Sequence, residues 1–575
     1  MTTVDDHAQT ATIRSLIPDW PADFAQRYRD LGLWEGKTFS TRLDEWADLY
    51  GESTAVVDGD RRFTYRDLAT RATRLAHGLR NIGVGRGDAV LLQLPNSAEF
   101  VIGWFALQRL GAVPVHTQPG HRHLEVSYLA GATRAVAYIT TDEFARFDHR
   151  ALASQVADEV ESMTSVIIAG DLGDHAADDR FHTFDSLYVN DDRGLGDDRG
   201  LGDDRGLNDD GGLNDGGLGD PADPSDIALL LLSGGTTGMP KLIGRTHDDY
   251  AYNSRVAGDR SRLDADSVYL AILPIAFNYT WNCPGILSTF RVGGTVVLAP
   301  NQDPAVCFEL IEREKVTMTA INPQLAPMWL DEREFTENDL SSLKIIEIGS
   351  ARLADYEARR IIDEFDATLQ QILGMSEGLF CATHLDDDPE LLATTQGVPV
   401  SEYDEIRVID AEGVVVPNGE IGELTVRGPY TLRGYFDAPE QTAKAITADG
   451  FYCTGDLVRR LDSGHLIVSG RIKDQINRGG EKIAATEVEG ALLEHPDIRA
   501  LAILGEPDET LGERSVAFVV IDDGAPELTR RDLQTFTESV GLSAYKAPDV
   551  VRIIDEMPLT PLGKMDKNAL RAHLG

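Results

Sequence analysis

The sequence predicts an α/β protein built largely on parallel sheets, followed by a smaller, more antiparallel unit. Three observations predict this. Short runs rich in Val, Ile and Leu alternate with amphipathic stretches of helical length as far as about Gly374. The longest apolar run, Ile227–Leu232, lacks polar alternation and reads as a strand buried on both faces. After about Gly397 the text turns to short strands and Gly-rich turns, EIRVID, GELTVRG and GHLIVSGR.

Taken in order, TAVVDGDRRFTYRDLATRATRLAHGLRNIGV reads as a short hairpin and then an amphipathic helix. DAVLLQLPN follows as a strand, and EFVIGWFALQRLGAVPV as a helix leading into another strand. The alternation continues through TVVLAP, VTMTAIN, KIIEIGS and TLQQILG, which places helices on both faces of the sheets. From about Arg471 a helix, ATEVEGALLEH, mixes with strands AILGEP and RSVAFVVID, the size of a small separate domain. One segment stands apart. Asp191–Asp220 repeats Asp, Gly, Leu and Arg with too little apolar material for a core, and reads as a flexible acidic insertion. Its spacing does not match the nine-residue repeat of calcium-binding β-helices.

Charge and composition exclude several classes. The 575 residues hold 95 acidic against 53 basic side chains, a formal net charge of −42, which repels a phosphate backbone and argues against nucleic acid. The same charge suggests adaptation to high salt, where self-repulsion is screened. No run approaches the roughly 20 apolar residues that span a bilayer. The polar, acidic start, MTTVDDHAQTATIRS, lacks the basic and apolar regions of a secretory signal, so a cytoplasmic location is expected. Cys283, Cys307, Cys381 and Cys453 are scattered without CxxC or metal-ligand spacing.

The strongest local signal is Ser233-Gly-Gly-Thr-Thr-Gly-Met-Pro-Lys241, directly after the apolar strand. Its glycines let main-chain N–H groups approach a polyphosphate, and its hydroxyls add donors. The Walker spacing GxxxxGK[ST] is absent. Farther on come Gly374-Met-Ser-Glu-Gly378, Tyr452-Cys-Thr-Gly-Asp456, Gly470-Arg-Ile-Lys-Asp474 and Pro561-Leu-Gly-Lys564. This ordered set resembles the adenylate-forming superfamily of acyl-CoA synthetases, luciferases and peptide-synthetase adenylation domains, over the whole chain apart from the acidic insertion.

The resemblance implies a fold and a set of roles. The fold is a large N-terminal region, residues 1–472, of two α/β subdomains plus a distorted β-barrel, with a small mobile α+β domain at 473–575. Ser233, Gly234, Gly235, Thr236, Thr237, Gly238 and Lys241 would grip ATP, Thr236 and Thr237 holding the β- and γ-phosphates. Glu377 would bind Mg²⁺, a hard cation that prefers oxygen. Asp456 would accept hydrogen bonds from the ribose hydroxyls, with Arg471 in support. Gly349, Ser350, Ile372 and Ser376 match the segments lining the adenine and acyl pocket. Lys564 matches the catalytic lysine, whose ammonium stabilises charge developing on the carboxylate and α-phosphate. Lys473 matches the hinge about which the small domain turns between half-reactions.

Within the superfamily, KLIGRTHDDYAYNSR, PNSAEFVIGWFALQRLGAVPVHTQPGHR and RIKDQINRGGEKIAATEVE resemble aryl-acid AMP ligases. These load 2,3-dihydroxybenzoate or salicylate onto carrier proteins for siderophores. Asn278 and Tyr279 agree with that pattern, and Asn278 would contact the ring's ortho-hydroxyl or carboxylate. Phe277 replaces a usual His, and Phe380 a smaller aliphatic residue. Cys283 stands where dihydroxybenzoate enzymes carry Ser and salicylate enzymes often carry Cys. A thiol is a weak hydrogen-bond partner, so a ring 3-hydroxyl is left poorly matched, at a cost of about 1–3 kcal/mol. The expectation is salicylate, or a less hydroxylated acid, over 2,3-dihydroxybenzoate. The expected cofactors are ATP and Mg²⁺, and the acceptor is an aryl carrier protein acting in trans. A coenzyme A ligase of aryl or medium-chain acids is the rival reading. A non-catalytic adenylate-binding protein is disfavoured, because Lys564, Glu377 and Asp456 are all present. Oligomeric state, pathway and the role of the acidic repeat are not legible.

Overall fold

The computed structural model describes residues 13–188, 218, 222–233, 240–478, 481–508, 510–522, 524–540, 542–560 and 565–574. Two large sheets dominate. The first has nine strands: Val398–Pro399, Phe380–Ala382, Thr368–Gly374, Ile345–Ile348, Met318–Ile321, Val268–Ala271, Thr295–Leu298, Thr54–Asp58 and Arg61–Thr64, in that spatial order. Pairing is parallel from Thr368–Gly374 to Thr54–Asp58 and antiparallel at both edges. The second has seven strands ordered Leu242–Thr246, Ile227–Leu232, Val113–His116, Ala89–Gln93, Ala137–Thr141, Ser165–Ala169 and Phe181–Thr183. It is parallel except for the hairpin joining Ile227–Leu232 to Leu242–Thr246. The expected hairpin, helices and parallel strands therefore form where the periodicity put them.

Helix Ala98–Leu110 shows why the two sheets form one body. It is apolar on nearly every side, as a helix must be when no face meets water, and almost all of it is buried. Trp104 and Phe100 pack edge-on and tilted against Trp281 of the other subdomain. Just before the helix, Asn96 Nδ2 donates to the carbonyls of Ala271 and Leu273 at 3.1 Å, and its Oδ1 accepts from Ile275 N at 3.0 Å. A loop of the second sheet is thus tied to the C-terminal end of a strand of the first, where ligands bind in open α/β sheets.

Helix His247–Arg260 begins with a complete capping box: Thr246 Oγ1 accepts from Asp249 N, and Asp249 accepts from Thr246 N. The box is buried, with Thr246 paired to Ile227 at the end of the hairpin opposite Ser233. The third sheet, Glu405–Ile409, Ile421–Arg427, Tyr452–Arg460 and Leu466–Arg471, is antiparallel, and its pairing does not close into a barrel among the described residues. The small C-terminal domain holds its own sheet: Glu481–Ala484, Gln475–Arg478, Gly512–Ile521 and Ile498–Asp508, with Val550–Ile553 beside Gly512–Ile521. Its core, including Ile476, Val488, Leu492, Leu501 and Val519, is separate from those of the large region. Among the described residues no helix is long and apolar enough to cross a membrane.

Candidate functional site

The hairpin after Ile227–Leu232 closes tightly at its base. Ser233 N donates to Lys241 O at 2.9 Å, and Lys241 N donates back to Ser233 Oγ at 3.1 Å. Gly234, Gly235, Thr236, Thr237 and Gly238 lie outside the described residues, as do Lys564 and the acidic segment Asp191–Asp220 apart from Leu218. Beyond the hairpin, Lys241 Nζ sits 4.4 Å from the centroid of the Tyr435 ring, a cation–π contact.

Tyr435 leads to Glu377. Its hydroxyl donates to Glu377 Oε1 and pairs with the Tyr452 hydroxyl, both at 3.1 Å. Burial raises the Glu377 pKa, against the lowering pull of Tyr435, Arg471 and Lys241. The turn bearing Glu377 is rigid for a visible reason. Leu432 N donates to Glu377 O at 2.6 Å, and Gly378 has φ +142° with Tyr430 O only 2.4 Å from where a Cβ would stand. No residue but glycine fits there.

Asp456 and Arg471 face each other across antiparallel strands, Arg471 Nε lying 2.8 Å from Asp456 Oδ1. Burial opposes the Arg471 charge, but Asp456, Glu377 and Asp474 outweigh it and raise its pKa. Lys241, Glu377, Asp456 and Arg471 therefore form one electrostatically linked group drawn from two distant segments and one pair of neighbouring strands. Among the described residues no cluster of three or more His, Cys, Asp or Glu is arranged to hold a metal alone. A single buried carboxylate fits Mg²⁺, which keeps waters and substrate phosphates for most of its ligands.

The neutral half lies between helix His247–Arg260 and the segment Phe277–Cys283. Tyr250 OH donates to Asn278 Oδ1 at 2.8 Å, and Asn278 Nδ2 points at Cys283 Sγ at 3.6 Å. The thiol donates to Asn253 Oδ1 at 3.1 Å, an oxygen that also accepts from Asn282 Nδ2 at 3.1 Å. Burial pushes the Cys283 thiol up to about 12, so it stays protonated. Gly349 lets the backbone and Ile372 approach closely on the other side. A Cβ there would lie 2.3 Å from Ile372 Cγ1 and 3.4 Å from Tyr279 Cζ, so Gly349, Ile372 and Tyr279 share one wall. The next residue, Ser350, holds φ +75°. Phe277 and Asn278 are half-buried, whereas Phe380 is buried and pairs with Gly374.

Arg245 joins the halves. Fully buried, it donates from Nε to Asp249 Oδ1 at 2.7 Å and from Nη1 to Ser376 O at 3.2 Å. Its guanidinium lies 5.0 Å from the Tyr250 ring centroid. One residue thus spans from the Tyr250–Asn278 pair to the residue preceding Glu377. Sequence reasoning quoted Arg245, Tyr250, Asn253 and Tyr452 within their motifs without giving them a role, and missed Tyr435. Tyr250 and Asn253 stand three apart on one helix, a spacing that could have flagged a shared face.

Comparison with known proteins agrees with this geometry. The AMP-binding enzyme family profile matches residues 43–436, and that of the AMP-binding enzyme C-terminal domain matches residues 487–564. The 2,3-dihydroxybenzoate-AMP ligase of Bacillus subtilis is 43% identical over 96% of this chain and 96% of its own. The salicyl-AMP ligase / salicyl-S-ArCP synthetase of Mycobacterium tuberculosis is 41% identical over 97% of this chain and 94% of its own. The apo structure of MbtA from Mycobacterium smegmatis superposes with a TM-score of 0.71 at 38% identity, covering 98% of this chain and 99% of that one. The profile matches over most of the chain, with relatives 43% and 41% identical over nearly its full length, make the chain a member of the AMP-binding enzyme family.

Proposed function

We propose that the protein activates an aryl carboxylic acid of the salicylate type with ATP, releasing pyrophosphate, and passes the acyl group to a phosphopantetheine thiol of a carrier protein. The observation that supports this most is Arg245, which links a neutral, amide-lined pocket to the Glu377 turn. In adenylation the acid's carboxylate oxygen bonds to the α-phosphorus as the bond to pyrophosphate breaks. Lys564 would neutralise charge on the reacting oxygens, and Asp456 with Arg471 would hold the ribose. Glu377, with Lys241 nearby, would hold Mg²⁺, which when bound offsets the charge of the triphosphate. Phe277, Asn278, Tyr279, Cys283, Gly349, Ile372 and Phe380 would enclose the ring, and Ser350 and Ser376 the adenine side. The small domain would begin at Lys473 and turn there between the half-reactions. One relative named for salicyl-S-ArCP synthesis supports a carrier protein as acceptor, while one named salicylyl-CoA synthase keeps free coenzyme A as the alternative.

Pyrophosphate exchange into ATP tests the reading without an acceptor. Salicylate should support exchange, ahead of 2,3-dihydroxybenzoate and far ahead of octanoate; exchange with octanoate alone would return the protein to the acyl-CoA ligases. The net charge of −42 motivates a companion proposal of adaptation to salt. The melting temperature should rise from about 0.1 to 3 M KCl, past the range in which simple screening is complete; a flat response would refute it.

A further inference from the structure

Beneath the neutral pocket lies a carboxylate side chain that the proposed chemistry does not use. Glu347 stands two residues before Gly349, so the two share a face of the sheet, with Glu347 one step deeper. It is fully buried. On the neighbouring parallel strand it pairs with Gln370, and over both sits Ser261, which caps the C-terminal end of helix His247–Arg260.

Counting protons in this triad determines its state. Gln370 Nε2 donates to Thr383 O at 2.8 Å, which leaves Gln370 Oε1 facing Ser261. Ser261 Oγ lies 2.7 Å from that oxygen and 3.2 Å from Glu347 Oε1. The serine owns one proton, and the shorter contact takes it. A second hydrogen bond, between Ser261 Oγ and Glu347, then exists only if the glutamate supplies the proton. The other oxygen, Oε2, has no partner, a costly arrangement for a buried anion. The titratable groups that feel Glu347 are Tyr269, Tyr279 and Cys283, none of them a cation. Burial likewise raises its pKa well above the usual carboxylate range.

We infer that Glu347 is a protonated carboxylic acid, a positioning residue that supports the Tyr279 wall while leaving the floor of the pocket uncharged for an anionic aryl acid. The second half of this inference rests on the proposed substrate; the first does not. The side chain runs a proton chain, Glu347 to Ser261 to Gln370, and ionisation would break it and set a negative charge behind the bound carboxylate.

Infrared difference spectra of the full chain at pH 7.5, wild type minus Glu347→Gln, test the protonation directly. A carboxylic-acid carbonyl band that shifts in D₂O is expected, and its absence would overturn the inference. Kinetics test the role. Glu347→Gln should keep the KM for salicylate within about threefold at pH 7, whereas Glu347→Ala, which removes the chain, should raise it roughly tenfold. The wild-type KM should climb at alkaline pH with kcat little changed, and the Gln variant should lose that climb. A Gln variant as impaired as Ala, with the climb intact, would overturn the positioning role. Should Glu347→Gln fail to fold, Ser261→Ala gives a second spectrum, in which the same band must move. Exchange with no aryl acid at all would refute the substrate while leaving the infrared result to stand.

Discussion

The two halves of the site are built on opposite electrostatic plans. The half around Glu377 gathers charge: Arg471 pairs with Asp456, and Arg471 and Lys241 both pull against the burial that raises the Glu377 pKa. The half around Asn278 is neutral throughout, an exchange of hydrogen bonds among Tyr250, Asn278, Cys283, Asn253 and Asn282. Charge is needed where a polyphosphate is held and rearranged. Neutrality is needed where an aromatic ring must shed its water and where each unmatched polar group costs selectivity. On the proposed function, rate and specificity would be assigned to separate regions, with Arg245 between them.

That division predicts which changes act on all acids and which on only some. The largest effect should come from Lys564→Ala, which removes the ammonium proposed to neutralise the reacting oxygens. Pyrophosphate exchange should fall on the order of 10²–10³-fold, by the same factor for salicylate and 2,3-dihydroxybenzoate. A loss confined to one acid would break the comparison. Next, Cys283→Ser replaces a weak partner with a good one in the neutral half. The ratio of kcat/KM for the dihydroxy acid over salicylate should rise about tenfold, with the KM for ATP unchanged. A rise in the ATP KM instead would show that the halves are not separable.

The smallest effect tests how far neutrality extends behind helix His247–Arg260. There Tyr252 OH meets Ser401 Oγ at 2.8 Å, and Tyr430 donates to the half-buried Asp404. Burial raises Asp404 to about 8, the Tyr430 hydrogen bond pulling only partly against it. The folded protein thus keeps a proton that the unfolded chain releases near pH 4, and stability falls as pH rises from there toward 8. Asp404→Asn should flatten the melting temperature across that window. An unchanged slope would mean that Asp404 is ionised in the fold.

Much of the charged half was legible beforehand, and the reason is local. Glu377, Asp456 and Arg471 each sit in a short Gly-containing motif, and the resemblance of those motifs to a family pattern singled them out. Tyr435 was not legible, and Tyr452, though inside a quoted motif, carried no role, because a phenol reaching toward Glu377 needs no local signature. Cys283 and Asn278 were singled out as contacts for the ring, yet Asn253, which takes the thiol's proton, was not. Its importance comes from a neighbour 30 residues away in the chain.

By itself, then, the sequence determined the elements and their order. The parallel strands, the buried helix Ala98–Leu110, the capping box at Thr246 and the separate C-terminal unit all follow from periodicity and caps, which act over a few residues. Only the tertiary structure decided that Arg245 would reach Ser376, that Asn253 would face Cys283, and that Ser261, Glu347 and Gln370 would share protons in the interior. Those are contacts between segments far apart in the chain. Their energies depend on burial and on the count of donors and acceptors at one place, which no stretch of sequence contains.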